Sequence, residues 1–312
     1  MATILALGLY KSSGGPSKSI RAMQEALNAE VISWVDPIQI SKDELIWKDA
    51  HVVAGSSWPI LRQLLLAPKK SMRVAEEIIS TSRIVSCHSP WRGHMLWLYH
   101  MHRKAGVPYW FVPHGGLDPY VFEEQGFLKR LFLRLGGRAA IENAACVIFT
   151  TKAERDKAIK VCRPQRSEIV YWPLNDEDFS VRRGADERRY IRGKLGIPSE
   201  ARCLLYFGRL HAMKRPLETI EAIAASQSNA HLIIVGNEFG VSLEDCRSQA
   251  ADLGLEDRVH VIGPVYGETK AHYFAAADAY ISLSRRENFN FAAAESMAAG
   301  LPLILSPGND LV

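Results

Sequence analysis

Residues 278–295 read Asp278-Ala-Tyr-Ile-Ser-Leu283-Ser-Arg-Arg-Glu287-Asn-Phe-Asn-Phe-Ala-Ala-Ala-Glu295. An apolar strand pattern at 278–283 gives way here to an alanine-rich helix pattern. The glutamates stand eight positions apart, one in the loop at the carboxyl end of the strand and one inside the helix. Ligands of open α/β sheets collect at this end, where two acids can each bind a hydroxyl of one polyhydroxylated ligand and free helix amides suit phosphate. The alternative is a first-turn glutamate followed by an ordinary helix glutamate.

The same alternation of apolar runs and amphipathic stretches extends through the chain on both sides of this segment. It predicts parallel strands joined by helical crossovers, because each helical pattern separates two strand patterns. The predicted strands are 3–7, 30–34, 51–54, 83–87, 109–112, 146–150, 169–172, 203–207, 231–235, 259–262, 278–283 and 303–305. The clearest predicted helices are 17–28, 93–104, 216–225, 243–253, 269–276 and 291–299.

A polar and charged stretch at 175–198 separates the two sets of strands and fits a linker followed by a short helix. With 312 residues, of which 47% are hydrophobic, the chain is long enough for two cores. We therefore predict an α/β protein of two doubly wound, Rossmann-like domains, residues 1–175 and 176–312. We expect them to face each other across a cleft lined by the carboxyl ends of their strands.

Composition narrows the class of protein. No apolar stretch approaches the roughly 20 residues that span a bilayer, and the amino terminus lacks the basic start and cleavage site of a signal peptide. We expect a cytoplasmic protein with a buried first strand. The five cysteines are scattered without a C-x-x-C pair, which predicts reduced core residues rather than a disulfide framework or a zinc site. They are Cys87, Cys146, Cys162, Cys203 and Cys246.

Charge is distributed unevenly along the chain. Residues 1–175 carry 23 Lys and Arg against 15 Asp and Glu, whereas the remainder carries 15 against 19. The basic first half favours an anionic partner such as a phosphorylated substrate or a lipid surface, or it is a solubilising surface. Nucleic acid is not an expected partner, because the basic residues are dispersed and no nucleic-acid-binding motif accompanies them.

Two glycine-containing loops follow strands of the first half. The first reads Gly8-Leu-Tyr-Lys-Ser-Ser-Gly14-Gly15-Pro-Ser17, which is not the G-x-G-x-x-G fingerprint of a dehydrogenase. Its paired glycines permit close approach of a ligand or form a plain tight turn, and Ser17 or Ser19 is a candidate helix cap.

The second loop reads Pro113-His114-Gly115-Gly116-Leu117-Asp118-Pro119. His114 stands at a strand end beside two glycines, where its ring can reach a ligand hydroxyl. We expect Asp118 to serve turn geometry only. His88 occupies a similar strand end without glycines, and we interpret it as structural.

A basic loop follows the first strand of the second half, in Phe207-Gly208-Arg209-Leu210-His211-Ala-Met-Lys214-Arg215-Pro216. Pro216 predicts the start of a helix. Arg209 and Lys214 are two cations that can neutralise a diphosphate, although a solvated basic loop is the alternative. Gly236 and Gly263-Pro264-Val265 end later strands, where a glycine lets a flat base lie against the backbone.

Taken together, these motifs resemble the family-4 retaining glycosyltransferases, which use nucleotide sugars and have the GT-B fold. The matching elements occur in the family's order over nearly the whole chain. They are Gly14-Gly15, His114-Gly115-Gly116, Gly208-Arg209-Leu210 with Lys214, and Glu287-x7-Glu295 followed by Ser-Met-Ala-Ala-Gly-Leu-Pro302. The wording Pro-His-Gly-Gly-Leu-Asp-Pro further resembles members that build bacterial surface polysaccharides.

The resemblance implies a role for each matched residue. Arg209 and Lys214 would bind the donor diphosphate, Glu295 the ribose hydroxyls and Glu287 the donor-sugar hydroxyls. His114 would bind the sugar from the opposite domain, and Gly14 and Gly15 would lie near the phosphates or the acceptor. Gly263 and Val265 are added to the donor site because a glycine at their strand end lets a flat base lie against the backbone. Backbone amides of the segment between the two glutamates would complete the site, and it consists of Asn288, Phe289, Asn290 and Phe291.

The implied activity is transfer of a sugar from a UDP- or GDP-linked donor to a saccharide or lipid-linked saccharide, with no metal ion and no cofactor. Two features depart from the family pattern. Asn288 and Asn290 replace the usual glycines, and asparagine tolerates left-handed backbone angles. The family also continues beyond the position of Val312, so we expect a second domain that is incomplete at its carboxyl end.

Alternative functions are a truncated, non-catalytic nucleotide-sugar-binding protein and a nucleotide-sugar epimerase of the same architecture. A separate hypothesis concerns Gly126-Phe-Leu-Lys-Arg-Leu-Phe-Leu-Arg-Leu135. Its apolar stripe, flanked by basic residues, fits either peripheral contact with the inner face of the membrane or a helix that packs within its domain. We favour the second interpretation. The stripe consists of Leu128, Leu131, Phe132 and Leu135.

Overall fold

The computed structural model describes residues 1–9, 15–36, 50–56, 67–123, 126–174, 184–226 and 228–311. Gly14 therefore lies outside the described residues. The chain divides into two compact units, Met1–Pro173 and Leu174–Val312, whereas the sequence places the boundary after residue 175. Each unit holds a parallel sheet with helices between its strands, and the predicted fold class is confirmed.

The described part of the first unit contains a seven-stranded parallel sheet in the order β3-β2-β1-β4-β5-β6-β7. Successive strands run outward from β1 to β3 and then start again on the other side with β4, so the strand order reverses between β1 and β4. Such a reversal is where open α/β sheets bind ligands. The strands are β1 Ala2–Leu7, β2 Glu30–Val35, β3 His51–Ala54, β4 Ile84–His88, β5 Tyr109–Val112, β6 Cys146–Phe149 and β7 Ser167–Ile169.

Helices connect these strands and bury their apolar faces against the sheet. The core between them holds the fully buried rings of Trp34, Tyr109, Phe111 and Phe149. The helices are α1 Gly15–Leu27, α2 Lys69–Thr81, α3 Gly93–Ala105, α4 Gly126–Phe132, α5 Arg138–Glu142 and α6 Lys152–Ala158, with a 3-10 turn at Pro119–Phe122 and a π-helical turn at Leu133–Gly137.

Two details of the first unit differ from the sequence-based expectation. Strand β7 ends at Ile169, where the prediction had a strand begin. Beyond it Val170 and Tyr171 are exposed and Trp172 is buried. Ser17 and Ser19 are buried inside α1 and do not occupy its first position, so neither is the helix cap.

Within its described residues, the second unit contains a five-stranded parallel sheet in the order β10-β9-β8-β11-β12. Its strand order reverses between β8 and β11, and the basic loop follows β8 while Glu287 follows β11. The strands are β8 Cys203–Phe207, β9 His231–Val235, β10 Val259–Ile262, β11 Ala279–Ser282 and β12 Leu303–Leu305. The helices are α7 Ala185–Leu195, α8 Pro216–Ala225, α9 Leu243–Asp252, α10 Glu268–Ala276 and α11 Phe291–Ala298.

An ionic cluster attaches α7 to the start of β11. Asp278 accepts hydrogen bonds from Arg188 at 2.6 Å, from Arg192 at 2.8 Å and from the backbone N–H of Cys203 at 2.8 Å. Arg192 is buried and also donates to the carbonyls of Ala276 and Ala201. Burial alone raises the pKa of Asp278, but the hydrogen bonds and charges of the two arginines outweigh it and lower that pKa. The cluster thereby fixes the strand that carries the predicted acid loop.

Candidate functional site

At the strand-order reversal of the second unit, Lys214 and Glu287 form an ion pair, Nζ donating to Oε1. Ser284 donates a second hydrogen bond to the same carboxylate oxygen at 3.1 Å. The side chain of Lys214 retains 26% exposure and that of Glu287 10%, so the pair is reachable from solvent yet largely desolvated. Two residues matched separately in the sequence, 73 positions apart, thus meet at one place.

Backbone contacts fix the loop that carries Glu287. The N–H of Arg285 donates to the carbonyl of Met213, which joins this loop to the basic loop after β8. On its other side Glu287 exchanges backbone hydrogen bonds with Gly308 and Asp310, at 2.8 and 2.9 Å. A Cβ atom on Gly308 would lie 2.2 Å from the carbonyl oxygen of Arg285, so this close approach requires glycine. The carboxylate is therefore held by a rigid frame.

Arg209 does not share the position of Lys214. Its side chain is exposed, and its guanidinium lies 5.0 Å from the centre of the Phe239 ring. The loop itself is ordered by a hydrogen bond from Tyr206 Oη to the carbonyl of Arg209 at 2.9 Å. Pro216 stands at the first position of α8, which confirms the predicted helix start.

The second acid of the motif has its own cation. Glu295 and Lys270 form an ion pair of 2.5 Å, with side-chain exposures of 5% and 6%. The ammonium of Lys270 also lies 5.5 Å from the ring of Phe207 and 5.7 Å from that of Phe274. A desolvated carboxylate is costly unless a cation accompanies it, and Lys270 is that cation.

The asparagines between the glutamates act differently from the expectation. Among the described residues with positive φ, neither Asn288 nor Asn290 occurs, so the argument from left-handed angles is wrong. Asn290 has a φ of −78° and caps α11 by accepting from the N–H of Ala293 at 3.2 Å. Its amide also donates to Asn309 at 2.8 Å inside the core. Asparagine here supplies side-chain hydrogen bonds that glycine cannot make.

The segment's aromatic residues pack on each other. Phe289 and Phe291 meet edge to face with ring centres 4.8 Å apart, and both remain partly exposed.

The two glycines predicted to lie beside a base differ in the space around them. A Cβ on Gly236 would lie 1.8 Å from the carbonyl oxygen of Gly208, so Gly236 is needed for packing between strand ends rather than for a base. Gly263 has room for a Cβ, with its nearest neighbour at 3.9 Å, and Val265 packs at the edge of the core.

In the first unit, His114 and Gly115 both adopt left-handed angles, with φ of 50° and 75°. The N–H of Gly115 donates to Glu154 at 2.6 Å, and the same buried carboxylate accepts from the N–H and hydroxyl of Thr150, both at 2.7 Å. A Cβ on Gly116 would lie 2.5 Å from Pro90, which explains the second glycine. Glu154 therefore holds the histidine turn against the end of β6.

His114 is paired with His88, and the two ring planes are inclined at 29° to each other. His88 Nδ1 lies 2.8 Å from His114 Nε2, and Ser86 Oγ lies 3.0 Å from His88 Nε2. The ring of Trp172 lies parallel to that of His114, at 13° and 5.5 Å between centres. Burial lowers the pKa of His114 to about 4, and burial together with the charges of His114 and His94 lowers the pKa of His88. Both rings are therefore neutral at pH 7.

Asp118, Gly15 and the cysteines were also subjects of sequence-based predictions. Asp118 accepts from the N–H of Tyr120 at 3.0 Å and caps the 3-10 turn, as expected. It also forms an ion pair with Lys157 at 3.5 Å, so the expectation that it serves turn geometry only is wrong. Gly15 is the first residue of α1. All five cysteines are free and buried, as expected, and burial raises the pKa of Cys162 to about 11.

The basic and apolar segment of residues 126–135 does not bury the predicted stripe. Phe127, Leu128, Leu131 and Leu135 are exposed, by 75%, 52%, 39% and 70%. Phe132 turns inward instead, with its ring 5.7 Å from that of Trp91. The packing interpretation is thus wrong for all of the stripe except Phe132. Within the described ranges, no helix has both the length and the apolar composition needed to cross a bilayer.

Sequence reasoning missed three residues that support the site. Glu154 stands three positions after Thr151, a spacing typical of a helix start. Its side chain reaches the histidine turn, where it accepts a hydrogen bond from the N–H of Gly115. Asn309 belongs to the last turn of the chain and carries no motif. Lys270 lies 25 positions before Glu295 in another helix, and only the fold brings the two together.

Two family models match the chain. Residues 41–175 match "Glycosyl transferase 4-like domain" and residues 187–310 match "Glycosyl transferases group 1". One curated relative is a GDP-mannose:cellobiosyl-diphosphopolyprenol alpha-mannosyltransferase of Xanthomonas campestris, 29% identical over 204 residues, which are 64% of this chain and 50% of that protein. A D-inositol 3-phosphate glycosyltransferase of Streptomyces scabiei is 32% identical over 182 residues, 54% of this chain and 40% of that protein. The chain thus spans about half the length of the curated relatives it matches.

Solved structures show the same fold. Anabaena HepE in complex with UDP and glucose superposes with a TM-score of 0.74 and 18% identity, over 99% of this chain and 82% of that one. WaaG, a glycosyltransferase involved in lipopolysaccharide biosynthesis, superposes with a TM-score of 0.65 and 19% identity, over 99% and 82%. At such identities the likeness establishes the fold alone.

Proposed function

We propose that this chain, which belongs to the glycosyltransferases through its 4-like and group 1 domains, transfers a sugar from a nucleotide diphosphate donor to a saccharide or lipid-linked saccharide with retention of configuration. The observation that carries the proposal is the contact between Lys214 and Glu287 at the strand-order reversal of the second unit. This is the position in an open α/β sheet where a nucleotide ligand binds.

The ion pair between Lys214 and Glu287 is compatible with a site that binds an anion. A donor diphosphate competes with the Glu287 carboxylate for Lys214, since both are oxyanions that accept charge-assisted hydrogen bonds. Once the ammonium turns to the phosphates, the carboxylate oxygens become acceptors for sugar hydroxyls. Lys214 would then stabilise the negative charge that develops on the departing diphosphate, the kind of preorganised electrostatic effect that contributes most to many enzymes.

The other proposed contacts follow the family resemblance. Glu295 would bind the ribose, Arg209 the diphosphate and His114 the donor sugar. Gly14 and Gly15 would lie near the phosphates or acceptor, and Gly263 and Val265 beside the base. The backbone amides at Asn288, Phe289, Asn290 and Phe291 would complete the donor site. Of these, Phe291 is the first residue of α11, where backbone N–H groups have no partners within the helix. With cationic side chains for the phosphates, we propose that transfer requires no divalent ion.

The relatives support this proposal at the level of substrate class. The Xanthomonas protein is named for GDP-mannose and a diphosphopolyprenol acceptor, and HepE was crystallised with UDP. The base of the donor is therefore left open between uridine and guanosine. The diphosphopolyprenol acceptor in the name of the Xanthomonas protein supports a proposed role in polysaccharide or glycoconjugate synthesis.

A membrane contact through residues 126–135 belongs to the same proposal. Four exposed apolar side chains stand beside the exposed Arg130 and Arg134, a combination that suits an anionic lipid surface, while the ammonium of Lys129 donates to the carbonyl of Val121. Flotation with vesicles of phosphatidylglycerol should carry the protein upward, and the double variant Phe127→Ser/Leu135→Ser should stay at the bottom. Tyr266→Ser, which removes an equally exposed ring from the second unit, is the control. Wild-type protein that never floats would refute the contact.

A screen of nucleotide sugars tests the activity. A bound donor at 100 times its Kd stabilises the folded state by about 2.7 kcal/mol, which thermal unfolding detects. The stabilising donor is then incubated with saccharide and polyprenyl-linked acceptors, with and without EDTA, and the products are identified by mass spectrometry. A glycosylated acceptor in both conditions supports the proposal. Binding without turnover identifies a non-catalytic binding protein, and an altered donor sugar without acceptor identifies an epimerase.

A further inference from the structure

Three side chains of the first unit form an unbroken line of hydrogen bonds that ends at His114. Ser86 Oγ lies 3.0 Å from His88 Nε2, and His88 Nδ1 lies 2.8 Å from His114 Nε2. The ring centres of the two histidines are 5.1 Å apart at an interplanar angle of 29°. The ring centres are far apart although the two nitrogens are close, so the rings meet edge to edge. A hydrogen bond in the ring plane requires this arrangement.

The direction of this line follows from Ser86. Its side chain is 2% exposed, and among the described residues His88 Nε2 is the one hydrogen-bond partner of its hydroxyl. A buried hydroxyl that accepts but does not donate leaves its proton unpaired, which is costly. Ser86 therefore donates to His88 Nε2. That nitrogen carries no proton in the neutral ring, so the proton of His88 resides on Nδ1.

The same reasoning continues to the next ring. The N–H at Nδ1 of His88 donates to His114 Nε2, which must be unprotonated. Neutral His114 then carries its proton on Nδ1, the nitrogen outside the line. Trp172 limits rotation of this ring, since the two ring planes lie 13° apart with centres separated by 5.5 Å.

We propose that His88, oriented by Ser86, is a positioning residue that fixes His114 as the Nδ1–H tautomer, so that His114 presents a permanent hydrogen-bond donor to an oxygen of the donor sugar. This inference rests on the proposed function for the identity of the ligand, while the tautomer rests on the first unit alone. His114 is accordingly a donor to an oxygen acceptor and not a proton acceptor in the reaction. A ligand with a hydrogen in place of that oxygen loses the contact.

Nearby, His94 provides an internal reference whose tautomer follows from a carbonyl partner. Its Nε2 lies 3.0 Å from the carbonyl oxygen of His88, and a carbonyl can only accept, so Nε2 of His94 carries a proton. Its Nδ1 is buried with no partner in the described part of the chain. His94 and His114 must therefore show opposite tautomers in one spectrum if the inference holds.

Long-range ¹H–¹⁵N correlation spectra of the full chain, labelled in histidine only, read the protonation of each ring nitrogen at pH 7.5. We expect a protonated Nδ1 and a bare Nε2 at His114, and the reverse at His94. Assignment comes from the loss of one ring system in His114→Gln. A protonated Nε2 at His114 overturns the inference, whether or not the protein transfers sugar.

The role of the line in turnover is tested with Ser86→Ala and Ser86→Thr. Without the hydroxyl, both tautomers of His114 become populated, and kcat/KM with the identified donor falls by about twofold to fivefold, in proportion to the competent fraction. Ser86→Thr restores the hydroxyl and the wild-type tautomer. Full kcat/KM in Ser86→Ala, with the tautomers mixed in the spectrum, overturns the positioning role. If wild-type protein shows no transfer at all, the proposed function fails while the tautomer result stands.

Discussion

Lys270 Nζ lies 2.5 Å from Glu295 Oε2 in the second unit, and both side chains are at least nine-tenths buried. The acid that the family resemblance assigns to the ribose is therefore neutralised by a lysine of the preceding helix. A ribose hydroxyl would approach a carboxylate whose position and charge are already set. The pair also means that a change at Glu295 affects folding as well as binding.

Lys270→Met should destabilise the protein by about 3–5 kcal/mol, because it leaves a buried carboxylate without its cation. The double variant Lys270→Met/Glu295→Gln should recover a large part of that loss, since neither charge remains. Urea unfolding of the wild type, both single variants and the double variant gives the coupling free energy. Additive effects would show that the two side chains do not interact in solution.

Gly236 and Gly193 form a matched pair for glycine substitution. Gly236→Ala places a Cβ 1.8 Å from the carbonyl of Gly208, so it should destabilise by about 1–3 kcal/mol. Gly193 is exposed inside α7 with no atom within 4 Å of its added Cβ, so Gly193→Ala should stabilise by about 0.5–1 kcal/mol. Thermal unfolding should move in opposite directions for the two variants, and a shift of the same sign in both would contradict the packing described at the end of β8.

Asp278→Asn should destabilise the second unit by about 2–3 kcal/mol, less than a fully buried pair because the side chain of Asp278 is 26% exposed. The buried guanidinium of Arg192 would lose its counter-charge. The lowered pKa of Asp278 means that its contribution is present above the unfolded value and is lost as the pH falls through the folded value. Asp278→Asn should therefore lose less stability on acidification than the wild type. Equal loss in both proteins would exclude Asp278 as a source of acid sensitivity.

Acidification should also act through the buried histidines. Burial lowers the pKa of His94, His114 and His260 to about 4, against 6.5 for an unperturbed ring. The unfolded state thus binds more protons between these values, and stability falls as the pH decreases from about 6.5 towards 4. At pH 5 the loss should be roughly 1–2 kcal/mol for the fully buried His94 and smaller for the partly exposed His114 and His260. Urea midpoints at pH 7.5, 6.5 and 5.5 check the trend, and a midpoint that rises on acidification would contradict it.

Much of the fold could be predicted because each strand has a local signature. Runs such as His231–Val235 and Cys203–Phe207 are short, apolar and bounded by turns, and they became strands with the predicted ends. The exception at β7 has a physical reason. The apolar residues at 170–172 resemble a strand, and Val170 still donates its N–H to the carbonyl of Phe149 at 2.8 Å. The burial of Trp172 comes from its packing on the rings of His114 and His88.

A site residue could be predicted only where it belongs to a recognisable sequence motif. Glu287 and Lys214 were identified from strand-end position and family resemblance, and the structure adds that they contact each other. Lys270 and Glu154 were missed because their importance lies in partners distant in sequence. Asn290 was identified for the wrong reason, since a side chain that caps a helix and one that tolerates an unusual φ look alike in a sequence.

The most direct test of the account is donor turnover in Lys214→Ala, Glu287→Gln and the control Arg189→Ala, which changes an exposed surface pair in the same unit. Release of UDP or GDP in the presence of the identified acceptor is measured on protein shown to be folded. We predict that Lys214→Ala lowers kcat/KM by about 10²-fold to 10³-fold, that Glu287→Gln also lowers it strongly, and that Arg189→Ala leaves it unchanged. Wild-type turnover in Lys214→Ala and Glu287→Gln would contradict the proposal that this ion pair marks the donor site.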